Sequence, residues 1–146
     1  IKAAAPVQVK IAIMDQSFLH HGPVILVVDD DGAVRRALEF ALDLEGFEVE
    51  TFESGEALLL RAAPLPQGCL VLDERLPGVS GLNTLRQLRG RGVDLPAILI
   101  TSHPGPALRE AAARADVPIL EKPLLAETLV AAIHSALGPP AAPTAG

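Results

Sequence analysis

The chain has 146 residues, of which 49% are hydrophobic, and this length suits a single domain with a buried core. Its formal net charge of −6 argues against direct contact with nucleic acid, because such surfaces need clustered Lys and Arg. The apolar runs reach only about six residues, whereas a membrane-spanning helix needs roughly 20, so membrane insertion is not expected. The single Cys69 cannot form a disulfide within the chain and is predicted to be a buried thiol, which is compatible with a reducing cytoplasm.

Strand and helix signals alternate along the chain. Short runs rich in Val, Ile and Leu predict strands at 24–28, 47–52, 68–72, 96–100 and 117–120. The intervening and final segments predict helices at about 32–45, after Ser54, and at 80–89, 105–115 and 124–137. Asp31 and Ser54 are the expected N-caps of the first two helices. This alternation predicts an α/β fold in which helices cover both faces of a parallel sheet.

The two ends of the chain differ in composition from the alternating segment. Residues 1–22 are interpreted as an N-terminal extension, for which an extra strand, a linker from a longer protein and a cloning remnant are open alternatives. Residues 139–146 are rich in Pro and Ala, which predicts a flexible or extended tail. The predicted domain therefore spans residues 23–138.

Reactive side chains follow four of the predicted strands. Asp29 and Asp30 follow the first strand, Asp73 the third, Thr101 the fourth and Lys122 the fifth. The carboxyl ends of parallel strands meet at one edge of a sheet, where open α/β folds bind their ligands. Clustered carboxylates repel one another and are hard oxygen ligands, so we expect a bound Mg²⁺. One carboxylate can then act as a nucleophile toward phosphorus, with the metal and Lys122 supplying positive charge and the Thr101 hydroxyl a hydrogen bond.

Each of these residues, taken alone, has an ordinary structural explanation. An Asp after a strand is commonly a helix cap and a Thr a turn residue. Lys122 is more informative, because the chain has only three lysines against nine arginines. The prediction of a phosphoryl-transfer site depends on four strands ending in suitable groups.

Several motifs resemble the receiver domain of two-component response regulators, and most closely its FixJ-like subgroup. In chain order they are the pair Asp29-Asp30, the segment from Asp73 through Pro77 to Gly81, Thr101 with His103, and Glu121-Lys122-Pro123. The resemblance covers roughly residues 23–137. It implies a flavodoxin-like (βα)5 fold whose five-stranded parallel sheet has the order 2-1-3-4-5.

The resemblance also implies a function in a bacterial phosphorelay. Asp73 would accept a phosphoryl group from a histidine kinase or a histidine phosphotransfer domain, for signalling or as a relay or sink for phosphate. Thr101 and Lys122 would engage that group. Such a domain catalyses only its own phosphorylation and dephosphorylation and is cytoplasmic, and monomer and homodimer are open alternatives.

The metal ligands follow from the same resemblance. Asp30, Asp73 and the backbone carbonyl of Arg75 would bind Mg²⁺ directly, and Asp29 would act through a metal-bound water. One departure concerns the output of the signal, since Ile119 stands where the family usually has an aromatic residue three positions before the lysine.

Three other functions were weighed against this one. A receiver-like interaction module that does not use phosphorylation is favoured only by Ile119. A phosphohydrolase of the haloacid-dehalogenase type would use Asp29 to Asp31, but Asp73 would have no role and the only acidic residue after Lys122 is Glu127. A nucleotide hydrolase would need a Gly-Lys-Ser or Gly-Lys-Thr loop, which the sequence lacks.

Overall fold

A computed structural model describes residues 22–61 and 65–138. The strands are β1 Val24–Val28, β2 Glu48–Phe52, β3 Gly68–Asp73, β4 Ala97–Thr101 and β5 Ile119–Glu121. The helices are α1 Gly32–Leu44, α2 Gly55–Leu60, α3 Gly81–Gly90, α4 Pro106–Arg114 and α5 Ala126–Leu137. The expected extension, except Gly22, and the expected tail lie outside the described residues.

All five strands pair in parallel in the order β2-β1-β3-β4-β5, which confirms the flavodoxin-like prediction. Val28 at the end of β1 pairs with Leu72, and Asp73 pairs with Ile100. Thr101 at the end of β4 pairs with Glu121. The carboxyl ends of the four strands that carry the candidate residues are therefore level at one edge of the sheet.

Helices cover both faces of the sheet, as predicted. On one face, Leu70, Leu72 and Leu99 pack with buried leucines of α2 and α3. On the other, Val71 and Ile98 pack with buried residues of α1 and α5. Each fully buried Leu or Ile side chain contributes roughly 1.5–3 kcal/mol, so these two layers stabilise the sheet that holds the strand ends in place.

The helix starts follow from short polar side chains. Asp31 accepts the backbone N–H of Ala33 at 2.9 Å, and Ser54 accepts that of Ala57 at 3.0 Å, which confirms both predicted N-caps. The N-terminus of α3 is capped in the same way by Ser80, which accepts the Asn83 N–H at 3.2 Å. These caps fix where α1, α2 and α3 leave the loops that surround the strand ends.

The fifth strand begins two residues later than predicted, at Ile119. Asp116 has a positive φ of 60°, and the Val117 N–H bonds to the Ala112 carbonyl, so these residues end α4. Pro118 has no N–H, although its carbonyl accepts the Leu99 N–H at 2.9 Å. At their carboxyl ends, β3 and β4 each extend one residue beyond the prediction, so that Asp73 and Thr101 belong to the strands.

Cys69 lies in β3 with none of its surface exposed, as the sequence predicted. Burial raises the pKa of its thiol to about 12, so the sulfur is an unreactive part of the core. No helix within the described ranges combines the length and apolarity needed to span a membrane.

Candidate functional site

Three carboxylates meet at the carboxyl ends of β1 and β3. Each of Asp29, Asp30 and Asp73 offers a carboxylate oxygen, and these atoms lie within 4.8 Å of one another. Asp29 and Asp73 are only 3% and 5% exposed, whereas Asp30 is exposed. Adjacent parallel strands of matched register bring these groups together, as the sequence predicted.

Lys122 joins this cluster from the end of β5. Its ammonium nitrogen Nζ lies 3.2 Å from Asp73 Oδ2 and 3.6 Å from Asp29 Oδ2. Its backbone N–H donates to the Thr101 carbonyl at 2.9 Å, which fixes the chain beside β4. Partial burial alone would lower the pKa of Lys122, but the hydrogen bond and charge of Asp73, with the charge of Asp29, raise it. Lys122 is therefore a positive charge held against two buried carboxylates.

The cluster contains more negative charge than Lys122 offsets. Burial raises the pKa of Asp29, and the negative charges of Asp73 and Asp30 add to this rise. The Asp31 N–H, which donates to Asp29 Oδ1 at 2.9 Å, and the charge of Lys122 oppose it without cancelling it. A further cation at this position would relieve the repulsion.

The donor atoms fit a magnesium ion in kind and in spacing. Carboxylate oxygens are hard ligands, and Mg²⁺ binds through one or two carboxylates while it keeps several waters. Oxygens that share an octahedral shell of about 2.1 Å radius lie roughly 3–4 Å apart, close to the spacing of this cluster. Small side-chain rotations, or a water in one position, would complete such a shell.

The loop after β3 completes the rim of the site. The Arg75 N–H donates to Asp73 Oδ1 at 3.1 Å, so the start of this loop is held next to the acceptor carboxylate. Gly81, the first residue of α3, lies so close that a β-carbon there would collide with the carbonyl oxygen of Asp73. The start of α3 thus packs directly on the backbone of the acceptor residue.

Thr101 and Ile119 lie on the β4–β5 side. Thr101 ends β4 and is 2% exposed, so it is buried at the end of that strand. Ser102 and His103, which follow it, are exposed. Ile119 begins β5, is partly buried, and pairs with Leu99 two residues before Thr101.

Two residues of the site were missed by the sequence prediction. Arg35 in α1 donates from its guanidinium to the backbone carbonyl of Asp29 at 2.7 Å. Glu74 accepts the Leu82 N–H at 2.8 Å through its side chain. Arg35 follows the N-cap Asp31 along the sequence by about one helical turn. This spacing places its side chain near the start of α1, so the sequence could have indicated its role. Nothing in the sequence distinguished Glu74 from an exposed loop residue.

The fold and this arrangement of charged groups agree with a signalling domain of the receiver type. Residues 25–134 match the family model of the response regulator receiver domain, and the chain belongs to that family. This membership leaves no support for the haloacid-dehalogenase and nucleotide-hydrolase alternatives.

Individual relatives support the same assignment. The transcriptional regulatory protein FixJ of Azorhizobium caulinodans is 40% identical over 113 residues, which are 77% of this chain and 54% of FixJ. The response regulator MprA of Mycobacterium tuberculosis is 42% identical over 115 residues, which are 77% of this chain and 50% of MprA. The chain therefore spans about half the length of these curated relatives.

Solved structures agree with the fold. The crystal structure of FixJ-N aligns with a TM-score of 0.72 at 35% identity, covering 78% of this chain and 92% of that one. The chemotaxis protein CheY4 of Vibrio cholerae also aligns with a TM-score of 0.72, covering 78% of this chain and 98% of that one. At 23% identity, the likeness to CheY4 supports the fold alone.

Proposed function

We propose that Asp73 accepts a phosphoryl group from a phosphohistidine of a histidine kinase or a histidine phosphotransfer domain, in a Mg²⁺-dependent reaction in the bacterial cytoplasm. The observation that carries this proposal is the position of Asp73. Its carboxylate is buried, bonded to Lys122 on one oxygen and to the Arg75 N–H on the other, and adjacent to two more carboxylates. Family membership supports the same role.

In the transfer, a carboxylate oxygen of Asp73 attacks phosphorus and forms a new O–P bond. The P–N bond to the donor histidine breaks, and its electron pair stays on the imidazole nitrogen. The ammonium group of Lys122, already 3.2 Å from Asp73 Oδ2, donates to the oxygens of the incoming group. The reaction needs positioning and positive charge, and these residues provide both.

The residues that would hold Mg²⁺ are Asp30, Asp73 and the Arg75 carbonyl, with Asp29 acting through a water. When bound, the ion would supply positive charge to the phosphoryl oxygens. The Asp31 N–H donates to Asp29 Oδ1 and so restrains this carboxylate. Arg35 supports this arrangement by bonding to the Asp29 carbonyl.

The surface of α1 supports the proposed partner. Phe40 and Leu44 are 67% and 70% exposed, and with the exposed Ala33 and Ala37 they form an apolar stripe along α1. This stripe begins beside Asp31, at the rim of the site. A protein that carries a phosphohistidine must approach this rim, and an apolar helix surface on that protein would complement the stripe.

One experiment tests the proposal directly. The chain is incubated with acetyl phosphate and Mg²⁺, followed by measurement of intact mass and peptide mapping. We expect one added phosphoryl group, located on Asp73. An unmodified protein would favour the alternative of an interaction module that does not use phosphorylation, and a group on Asp29 or Asp30 would refute the assignment of Asp73.

We expect phosphorylation to change the surface around Ile119 only slightly. Ile119 has no ring to rotate, and a β-branched side chain is stiff about its first torsion. Addition of beryllofluoride, a phosphoryl mimic, should therefore shift the amide resonances of Asp73, Thr101 and Lys122 strongly and those flanking Ile119 weakly, with little dimerisation on sizing. The domain would then act as a relay or sink for phosphate.

The matched variant for this experiment is Ile119→Tyr, which places an aromatic ring at the same position of β5. Its amides near position 119 should respond to beryllofluoride more strongly than those of the wild type. Large shifts across β5 and α5 in the wild type, or a clear change from monomer to dimer, would show that Ile119 does not prevent a change of surface.

A further inference from the structure

Glu74 connects the two ends of the loop between β3 and α3. Its backbone N–H donates to the Ile100 carbonyl at 2.8 Å, which ties the start of the loop to β4. Its backbone carbonyl accepts the Gly81 N–H at 3.2 Å, and its side-chain Oε1 accepts the Leu82 N–H at 2.8 Å. One residue therefore bonds to a neighbouring strand and to the first turn of α3.

The side-chain bond has a definite structural effect. The first N–H groups of a helix have no partner within the helix, so a carboxylate that accepts one of them is stabilised there. Ser80 already accepts the Asn83 N–H, and Glu74 accepts the preceding one. Because Glu74 lies at the start of the loop, its bond also closes the loop that carries Arg75.

Arg75 is the residue most affected by this closure. It follows Glu74 directly, is itself exposed, and has its N–H on Asp73 Oδ1 at 3.1 Å. The far end of the loop is held separately, since Glu56 of α2 accepts the Val79 N–H at 3.1 Å. The bond from the Leu82 N–H to the Glu74 side chain adds to the bond from the Gly81 N–H to the Glu74 carbonyl, and together they limit movement of this part of the loop relative to α3.

We propose that Glu74 is a positioning residue for the cation site: its bond to the Leu82 N–H holds the loop that carries the Arg75 carbonyl, the expected ligand of an ion that Asp30 and Asp73 would bind. This inference rests on the proposed function, in which that carbonyl is a metal ligand. Residues that orient ligands without touching the metal commonly affect its affinity by a factor of 10–100.

Three variants of the full chain separate this role from general stabilisation. Glu74→Ala removes both the acceptor and the charge. Glu74→Gln keeps a side-chain carbonyl that can accept the Leu82 N–H and removes only the charge. Ser80→Ala removes the neighbouring side-chain cap of α3, the bond from the Asn83 N–H to the Ser80 hydroxyl, and so serves as a control for loss of helix stability.

The measurement is a Mg²⁺ titration followed by amide chemical shifts, with hydrogen exchange of the metal-free protein as a second readout. For Glu74→Ala we expect an increase of about tenfold in the dissociation constant for Mg²⁺. In the metal-free protein, the amides of Arg75 and Leu82 should exchange faster in Glu74→Ala than in the wild type. Glu74→Gln and Ser80→Ala should keep the wild-type affinity, although Ser80→Ala lowers the melting temperature.

The kinetics of phosphorylation should distinguish the three variants in the same way. With acetyl phosphate as donor, Glu74→Ala should need more Mg²⁺ for half-maximal phosphorylation but approach the wild-type rate at saturating Mg²⁺. Wild-type affinity in Glu74→Ala would overturn this inference and leave the proposed function intact. Equal loss in Glu74→Gln and Glu74→Ala would also overturn it, because charge would then be the cause. A wild type that does not bind Mg²⁺ would refute both proposals.

Discussion

Replacing Asp73 with asparagine should abolish phosphorylation by acetyl phosphate. The amide keeps the shape of the side chain and an oxygen that can accept the Arg75 N–H or bond to Lys122. It lacks the anionic oxygen that attacks phosphorus. Intact-mass measurement should show no added phosphoryl group in Asp73→Asn, whereas the wild type gains one.

The matched control is Asp94→Asn. Asp94 is exposed and lies before the amino-terminal end of β4, whereas the site is at the carboxyl ends of the strands. This change therefore removes one carboxylate without touching the site. It should be phosphorylated like the wild type. A phosphoryl group that still appears in Asp73→Asn, on Asp29 or Asp30, would show that another carboxylate of the cluster is the nucleophile.

Removing Mg²⁺, or changing Asp30→Ala, should slow phosphorylation at least about a hundredfold, because the transfer depends on positive charge at the phosphoryl oxygens. The fold should be retained, since Asp30 is exposed and the core contains none of its atoms. Phosphorylation at the wild-type rate in EDTA would contradict a role for the metal. Asp43→Ala, an exposed change near the far end of α1, is the control and should keep full activity.

Asp30→Ala should also affect stability, by an amount that depends on pH. Burial, with the charges of Asp73 and Asp30, raises the pKa of Asp29 in the folded state. Ionised Asp29 therefore costs stability above that raised pKa, and the cost disappears as the pH falls below its ordinary value of 3.8. Without metal, Asp30→Ala should unfold at the same temperature as the wild type or higher at pH 7. The difference should vanish below about pH 3.8.

The sequence was sufficient to predict the elements that place the site. In the strands that carry candidate residues, the apolar run ends directly before Asp29, Asp73 and Thr101, and two residues before Lys122. Parallel pairing places these strand ends at one edge of the sheet, and the strand order 2-1-3-4-5, which the resemblance to receiver domains implies, brings Asp29, Asp73 and Lys122 close to one another. In the structure the Lys122 ammonium nitrogen lies 3.2–3.6 Å from both carboxylates. The strands follow from the hydrophobic pattern of the sequence, and their order follows from the resemblance.

The contacts that were not predicted depend on how side chains fold back in three dimensions. Glu74 reads as an exposed acidic loop residue, but the loop returns it to the start of α3, where burial raises its pKa and the bond from the Leu82 N–H opposes that rise. The predicted start of β5 was wrong because Val117 extends the apolar run of the sequence. In the structure, Asp116 has a positive φ and the Val117 N–H bonds to the end of α4, so Val117 belongs to the end of that helix. Neither outcome can be read from the spacing of residues along the chain.

The close approach at Gly81 bears on how this domain can diverge over evolutionary time. A β-carbon there would meet backbone atoms of Asp73, and one at Gly68, at the other end of β3, would meet backbone atoms of Val24. Backbone atoms are common to every amino acid, so no second substitution nearby can make room for a side chain. Descendants can exchange surface residues such as Phe40 and acquire new partners, while β3 remains anchored at both ends. Specificity for partners can therefore change while β3 keeps Asp73 in its position.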